Sequence, residues 1–173
     1  VKSNLIRDSS MCGIGGMLGQ PDRAVLSRMV ELMKHRGPDG HGLFADDECG
    51  LAHSRLAIVD VEGSPQPIYG PGKVGIVNGE IYNHLSLKSK SYDYTTNGDS
   101  EVVLSLHKGK ANAGEHAKWI SKLDGMFAFA IWSENQLILA RDPVGVKPLM
   151  RTLVVLVNFF TCFFIVAGVI RHW

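Results

Sequence analysis

Hydrophobic positions between Gly13 and Asp142 switch repeatedly between two periods. Gly13 to Leu18 is short, apolar and glycine-rich, the pattern of a buried strand with close neighbours. Pro21 to Arg36 then reads PDRAVLSRMVELMKHR. Its Val25, Leu26, Met29, Val30, Leu32 and Met33 fall at helical spacing, and Pro21 suits a helix start. Met29 and Met33 are expected to fill the core under that helix. Gly37-Pro38-Asp39-Gly40 breaks it into a loop. Strand-like runs follow over 41–46, 50–60, 74–78 and 91–96. A helix is expected from Ser100 to Lys108, with Asp99 near its N-cap, and another over 115–122. GMFAFAIWSENQLILARD reads as two strands joined at Glu134-Asn135. Many strands with helices grouped between them predict an α+β layered fold rather than a regularly alternating one.

The two ends differ from this middle. Residues 1–10 (VKSNLIRDSS) are polar and lack the apolar core of a secretory signal, and Met11 follows directly as an alternative start. Residues 1–11 are therefore expected to be a leader or an over-extended start. Residues 153–170, LVVLVNFFTCFFIVAGVI, are 18 uncharged residues flanked by Arg151 and Arg171. A membrane span of that length is at the lower limit. Its Val, Ile, Phe and Thr equally favour a buried strand, which is the preferred reading. The expected division is 1–11, a domain over 12–150, and an apolar tail over 151–173.

Composition narrows the function classes. The chain has 173 residues, 45% hydrophobic and 20% charged, enough for one ordered domain. With 18 Lys and Arg against 17 Asp and Glu, it offers no basic field for nucleic acid. Three cysteines, Cys12, Cys49 and Cys162, are too few and odd for a disulfide scaffold, and no Asn-x-Ser/Thr sequon occurs. A cytoplasmic location is expected, with the membrane reachable only through 153–170. Familiar motifs fail. Gly13-Ile14-Gly15-Gly16-Met17-Leu18 ends in Leu18 where a dinucleotide fingerprint needs Gly or Ala. Gly72-Lys73 has Pro67 where a P-loop needs its first glycine. No paired Cys-x-x-Cys or His-Glu-x-x-His occurs, so no metal site is expected.

Met11-Cys12-Gly13-Ile14-Gly15-Gly16 carries a different chemistry. A cysteine exposed as residue one has a thiol nucleophile and its own α-amine as general base. Such an amine has a pKa of about 7.7–8.0 and a free thiol about 8.5, so transfer between them is easy. Gly13 lets the chain pass close to a substrate carbonyl. Taken alone, a buried inert cysteine is the commoner explanation. Five further segments follow in order: His35-Arg36-Gly37-Pro38-Asp39-Gly40, Leu51 to Asp60 (LAHSRLAIVD), Asn78 to His84 (NGEIYNH), Gly98 to Val102 (GDSEV) and Asp124 to Ala130 (DGMFAFA). Ala140 to Leu149 (ARDPVGVKPL) closes the set.

This set resembles the N-terminal glutaminase domain of glutamine-hydrolysing asparagine synthetases, class II glutamine amidotransferases of the N-terminal-nucleophile hydrolase type. The likeness covers residues 11 to 149 nearly continuously. It implies a four-layer αββα sandwich whose closing strands after Leu149 are replaced by the apolar tail. It implies L-glutamine as substrate and Cys12 as nucleophile, with Asn78 and Gly79 binding substrate and donating to the oxyanion. Arg55 would hold the substrate carboxylate, and Asp99 with Glu80 its ammonium. Arg36, Gly37 and Asp39 match a loop near the pocket and are assigned no chemical step. Blander roles stay open: a surface ion pair for Arg55, a helix cap for Asp99, a plain turn for Asn78-Gly79. The resemblance implies no cofactor for this domain. ATP and Mg²⁺ would serve a synthetase domain whose Ser-Gly-Gly-x-Asp-Ser loop does not occur in these 173 residues. The alternative function is a non-catalytic module, membrane-tethered or an inert fragment, that keeps the fold.

Overall fold

The computed structural model describes residues 11–57, 60, 63–145 and a strand at 153–157. The leader 1–10 and the tail beyond that strand, including most of the 153–170 run, lie outside the described residues. No helix among the described residues is long and apolar enough to cross a membrane.

Strand β1 (Gly13–Leu18) leads into helix α1 (Arg23–Met33). Asp22 caps α1, accepting from the Ala24 and Val25 amides at 2.6 and 3.4 Å, so the helix begins two residues after Pro21. Strands β2 (Gly40–Ala45) and β3 (Cys49–Arg55) form a hairpin. Asp46 closes its turn by accepting from the Glu48 and Cys49 amides. Short β4 (Ile68–Gly70) precedes the long β5 (Lys73–Ile81). Three helices follow: α2 (His84–Leu87), α3 (Val102–Leu106) and α4 (Ala113–Ile120). The hairpin of β6 (Gly125–Ser133) and β7 (Gln136–Arg141) turns at Glu134-Asn135, both at positive φ, and β8 spans Leu153–Val157.

The strands make two four-stranded sheets, ordered β2-β3-β1-β8 and β4-β5-β6-β7. The apolar stretch thus contributes one strand, β8, parallel to β1. The period of two along each strand assigns the layers. On the outer face of the first sheet, Leu26, Met29 and Val30 of α1 pack against Ala52. Gly13 lets α1 approach: a Cβ there would stand 2.8 Å from that of Met33. On the inner faces, Ile14, Cys49 and Leu51 meet Val74, Ile76, Ala128, Ala130 and Trp132. On the far side, Val77, Ile81, Phe127, Phe129 and Ile131 pack beneath Val102, Val103 and Leu104, with Trp119 and Ile120 beside them. The result is α1, sheet, sheet, α3/α4: the expected four-layer αββα sandwich.

Several local expectations are corrected. Residues 91–96 form no strand. The Thr95 and Thr96 amides donate instead to the Glu101 carboxylate at 2.9 and 2.7 Å, and Tyr94 donates to the Ser105 hydroxyl. The run over 50–60 ends as a strand at Arg55. Helix α4 starts earlier than expected, because Asn112 and Glu115 form a capping box. Glu101, not Asp99, precedes α3, and no side chain caps that helix.

Candidate active site

Cys12 stands immediately before β1. By the strand period it lies on the face of Ile14, toward the second sheet. Asn78 lies on the face of Val74 and Ile76, toward the first sheet. Ile14 and Ile76 share the cluster between the sheets, and Cys12 and Asn78 each lie two residues from them, at one end of the sandwich. Arg55, the last residue of β3, shares the inner face with Leu51 and His53, and Glu80 shares that of Asn78.

The Cys12 thiol is half-buried and held by backbone. It accepts from the Leu56 amide at 3.3 Å and donates to the Leu56 carbonyl at 3.6 Å. Arg36 Nε donates to the Cys12 carbonyl at 3.3 Å. The same loop clasps the end of β3: the Asp39 amide donates to the Arg55 carbonyl at 3.0 Å, and the Ala57 amide to the Asp39 carboxylate at 2.9 Å. Cys49 is a different sulfur. It is fully buried, and burial, with Asp46 adding to it, pushes its thiol up to about 12.

Asn78 and Gly79 are not a turn; they sit inside β5, opposite Ala128 and Phe127. Asn78 is 1% exposed, yet its Nδ2 has no hydrogen-bond partner among the described residues. A buried amide donor left unmatched costs about 1–3 kcal/mol, so the fold carries this group at a penalty. Gly79 has φ +139°, and a Cβ there would collide with the Met126 carbonyl, so only glycine fits. Its neighbours two residues away on the same strand edge are clasped by side chains. The Val77 amide donates to Gln66 Oε1 at 2.6 Å, and the Ile81 amide to Asp99 Oδ2 at 2.7 Å. Gly79 lies on that edge between the two clasps.

Asp99 is buried at 6% exposure, and its carboxylate meets β5 rather than α3. Asp60 joins its loop to Arg55. Arg55 Nη2 donates to the Asp60 carbonyl at 2.7 Å, and Asp60 Oδ2 accepts from Ser64 and the Asn97 amide at 2.6 and 3.2 Å. The Ser64 hydroxyl, against the opposing effect of burial and with the Asn97 and Gly63 amides adding to it, holds the Asp60 carboxyl below its usual value. Cys12, Arg55, Asn78, Gly79, Glu80 and Asp99 are thereby gathered at one end of the sandwich. Gln66, His53, Asp60 and Glu101, to which the sequence reading gave no role, support them. His53 is fully buried, with Nε2 3.2 Å from the Val77 carbonyl and Nδ1 unpartnered. Burial lowers its pKa to about 4.

A cavity of about 250 Å³ lies at the other end of β5, lined by Lys73, Tyr92, Ser105, His107, Lys108 and Glu134 among others. Its lysines are occupied with α3. Lys73 donates to the Leu104 and His107 carbonyls, and Lys108 to that of Ser105. No three His, Cys, Asp or Glu side chains among the described residues come together as a metal site.

The model of the glutamine amidotransferase domain family matches residues 11–157. The chain belongs to that family. It is 43% identical over 151 residues to asparagine synthetase [glutamine-hydrolyzing] 3 of Arabidopsis thaliana, covering 80% of this chain and 25% of that protein. It is 39% identical over 151 residues to asparagine synthetase B of Escherichia coli, again 80% of this chain and 25% of the relative. With asparagine synthetase 1 of Bacillus subtilis the identity is 41% over 157 residues, 82% of this chain and 24% of the relative. This glutamine amidotransferase domain thus spans about a quarter of the relatives' length and is homologous to their glutaminase half. Among solved structures, the glutamine phosphoribosylpyrophosphate amidotransferase of B. subtilis superposes with a TM-score of 0.60 at 21% identity. It covers 79% of this chain and 38% of its own, a likeness of fold.

Proposed function

We propose that this domain hydrolyses L-glutamine to glutamate and ammonia through Cys12, once the chain is cut after Met11. The observation that carries the reading is the buried Asn78 amide, whose unpartnered Nδ2 faces the sheet that bears the Cys12 thiol. A donor kept unpaired at a cost is what a developing negative charge requires.

Cys12 Sγ attacks the side-chain amide carbon of glutamine while its proton passes to the freed α-amine. The carbonyl oxygen becomes an oxyanion, met by Asn78 Nδ2–H and the Gly79 N–H. The amine returns the proton to the leaving nitrogen, the C–N bond breaks, and ammonia departs. Water, deprotonated by the same amine, adds to the thioester carbon; the C–S bond breaks, glutamate leaves, and the amine returns its proton to Cys12 Sγ. The Leu56 N–H donates to the sulfur before attack and so helps to aim it. Arg55 binds the substrate α-carboxylate, and Asp99 with Glu80 its α-ammonium. In a protein of the relatives' full length, the ammonia would amidate aspartate to asparagine in a following domain. ATP and Mg²⁺ belong to that domain.

The test compares ammonia release from L-glutamine by three proteins: the chain beginning at Cys12, the chain retaining residues 1–11, and the processed Cys12→Ala variant. Release by the first alone is expected. Equal rates in the first and third would overturn the reading.

A further inference from the structure

On the edge of β5 away from β6, the residue that precedes Asn78 is held by side chains rather than by a neighbouring strand. Strand β4 pairs with β5 only as far as Gly75. Beyond it the open edge of β5 would expose the Val77 amide and carbonyl. Gln66 covers both: its Oε1 accepts from the Val77 N–H at 2.6 Å, and its Nε2 donates to the Val77 carbonyl at 3.0 Å. One side-chain amide thus reproduces the two-bond pairing of an antiparallel strand. His53 reaches the same carbonyl from the first sheet, with Nε2 at 3.2 Å. The Val77 carbonyl belongs to the peptide whose nitrogen is that of Asn78.

We infer that Gln66, seconded by His53, is a positioning residue that fixes the Asn78–Gly79 donor pair for the oxyanion. This rests on the proposed glutaminase reading. The physical need is plain. Gly79 is in a conformation that most residues do not adopt, and Asn78 Nδ2 has no partner of its own to hold it. Strand β6 holds the opposite edge through Ala128 and Phe127, so the edge without a strand is where the pair still needs fixing. The nearest constraints on that edge are Gln66 at Val77 and Asp99 at Ile81. Of these only Gln66 grips a residue by both its backbone N–H and its C=O. A displacement of about 1 Å in such a site costs on the order of a hundredfold in rate.

The test is Gln66→Glu, which keeps the shape and the acceptor but loses the donor while ionised. Kinetics use the chain processed to begin at Cys12. Expected is a kcat about tenfold to a hundredfold below wild type, with KM for glutamine within about twofold. Acidification should narrow the gap between variant and wild type, since the protonated carboxyl again donates to Val77. Amide hydrogen exchange at Asn78 and Gly79, measured on the full-length chain, should speed up about tenfold or more in the variant. Gln66→Met, which removes both bonds, should show the same two losses at every pH. A variant with wild-type kcat, or with reduced kcat and unchanged exchange at these amides, overturns the inference. If wild type releases no ammonia the glutaminase reading falls, and with it the role at the oxyanion; exchange then decides whether Gln66 holds the segment at all.

Discussion

The Leu56 amide points at the Cys12 sulfur from 3.3 Å, so the thiol at the head of β1 is oriented by the chain leaving β3. Cys49, the other described thiol, is buried and pushed up to about 12. The two should differ in reactivity. Brief treatment with iodoacetamide at pH 7.5 is expected to alkylate Cys12 and leave Cys49 untouched, as read by peptide mass spectrometry. Cys12→Ser should abolish ammonia release, whereas Cys49→Ser should retain it. Faster labelling of Cys49 would contradict this account of the two sulfurs.

Asn78 makes a sharper case, because activity and stability should part. Asn78→Ala removes a donor that nothing in the described fold uses. Loss of an oxyanion donor lowers kcat by about 10²–10³. Stability should fall by less than about 1 kcal/mol, since the unpaired amide is itself a cost. Urea denaturation beside steady-state kinetics checks both. An unfolded variant would show that Asn78 is a structural residue after all.

Gly79→Ala should instead damage the fold. The positive φ and the Met126 carbonyl leave no room for a methyl group. Together these should cost at least about 2 kcal/mol, visible as a lower urea midpoint. A variant of wild-type stability would mean that β5 relaxes freely at this point.

The layers and the site were legible to different degrees. Apolar residues at helical spacing and at alternate strand positions were enough to anticipate α1, β1 and the β6–β7 hairpin. The run at 91–96 misled, because Tyr92, Tyr94, Thr95 and Thr96 have strand-forming side chains, yet their backbone serves the Glu101 carboxylate. A bond between a loop and a carboxylate six residues on has no period to read. Asp99 similarly looked like a helix cap, and it instead binds the Ile81 amide across the fold. The ordered segments pointed to Cys12, Arg55, Asn78, Gly79, Glu80 and Asp99 through resemblance. His53, Asp60 and Glu101 lay within those segments without a distinguishing signal. Gln66 lay outside them, and only the three-dimensional edge of β5 exposes its use.

Glu101 links the misread loop to substrate binding. Its carboxylate is wholly buried and accepts from the amides and hydroxyls of both Thr95 and Thr96. Those bonds fix the start of the loop that ends at Asp99. Glu101→Ala should therefore free Asp99, raising KM for glutamine several-fold more than it lowers kcat. The donors sit on exposed Thr95 and half-buried Thr96, where water replaces part of what is lost, so a stability loss of about 1–3 kcal/mol is expected. Glu101→Gln, which keeps one acceptor oxygen, should lie between. If KM holds in a folded Glu101→Gln protein, the loop does not depend on this carboxylate.

Acid should weaken the fold before most carboxylates protonate. His53 is lowered to about 4 by burial, against a weaker opposing pull from its bond to Val77. His107 is lowered to about 4 by burial, with Lys73 and His116 adding to it. Both ring nitrogens of His107 are buried and unpartnered, and its ring stacks on that of His116. In the unfolded chain a histidine binds its proton near pH 6.5. Between about 6.5 and 4 the unfolded state therefore holds more protons than the native one, and stability falls as pH falls. The contribution is complete above 6.5 and lost progressively below it. For fully buried His53 the loss approaches about 3 kcal/mol at the acid limit. Urea denaturation at pH 7.5, 6.5, 5.5 and 4.5 should show this slope, and His53→Leu should flatten it. An unchanged slope in that variant would mean that protonation of His53 is not what destabilises the acid form.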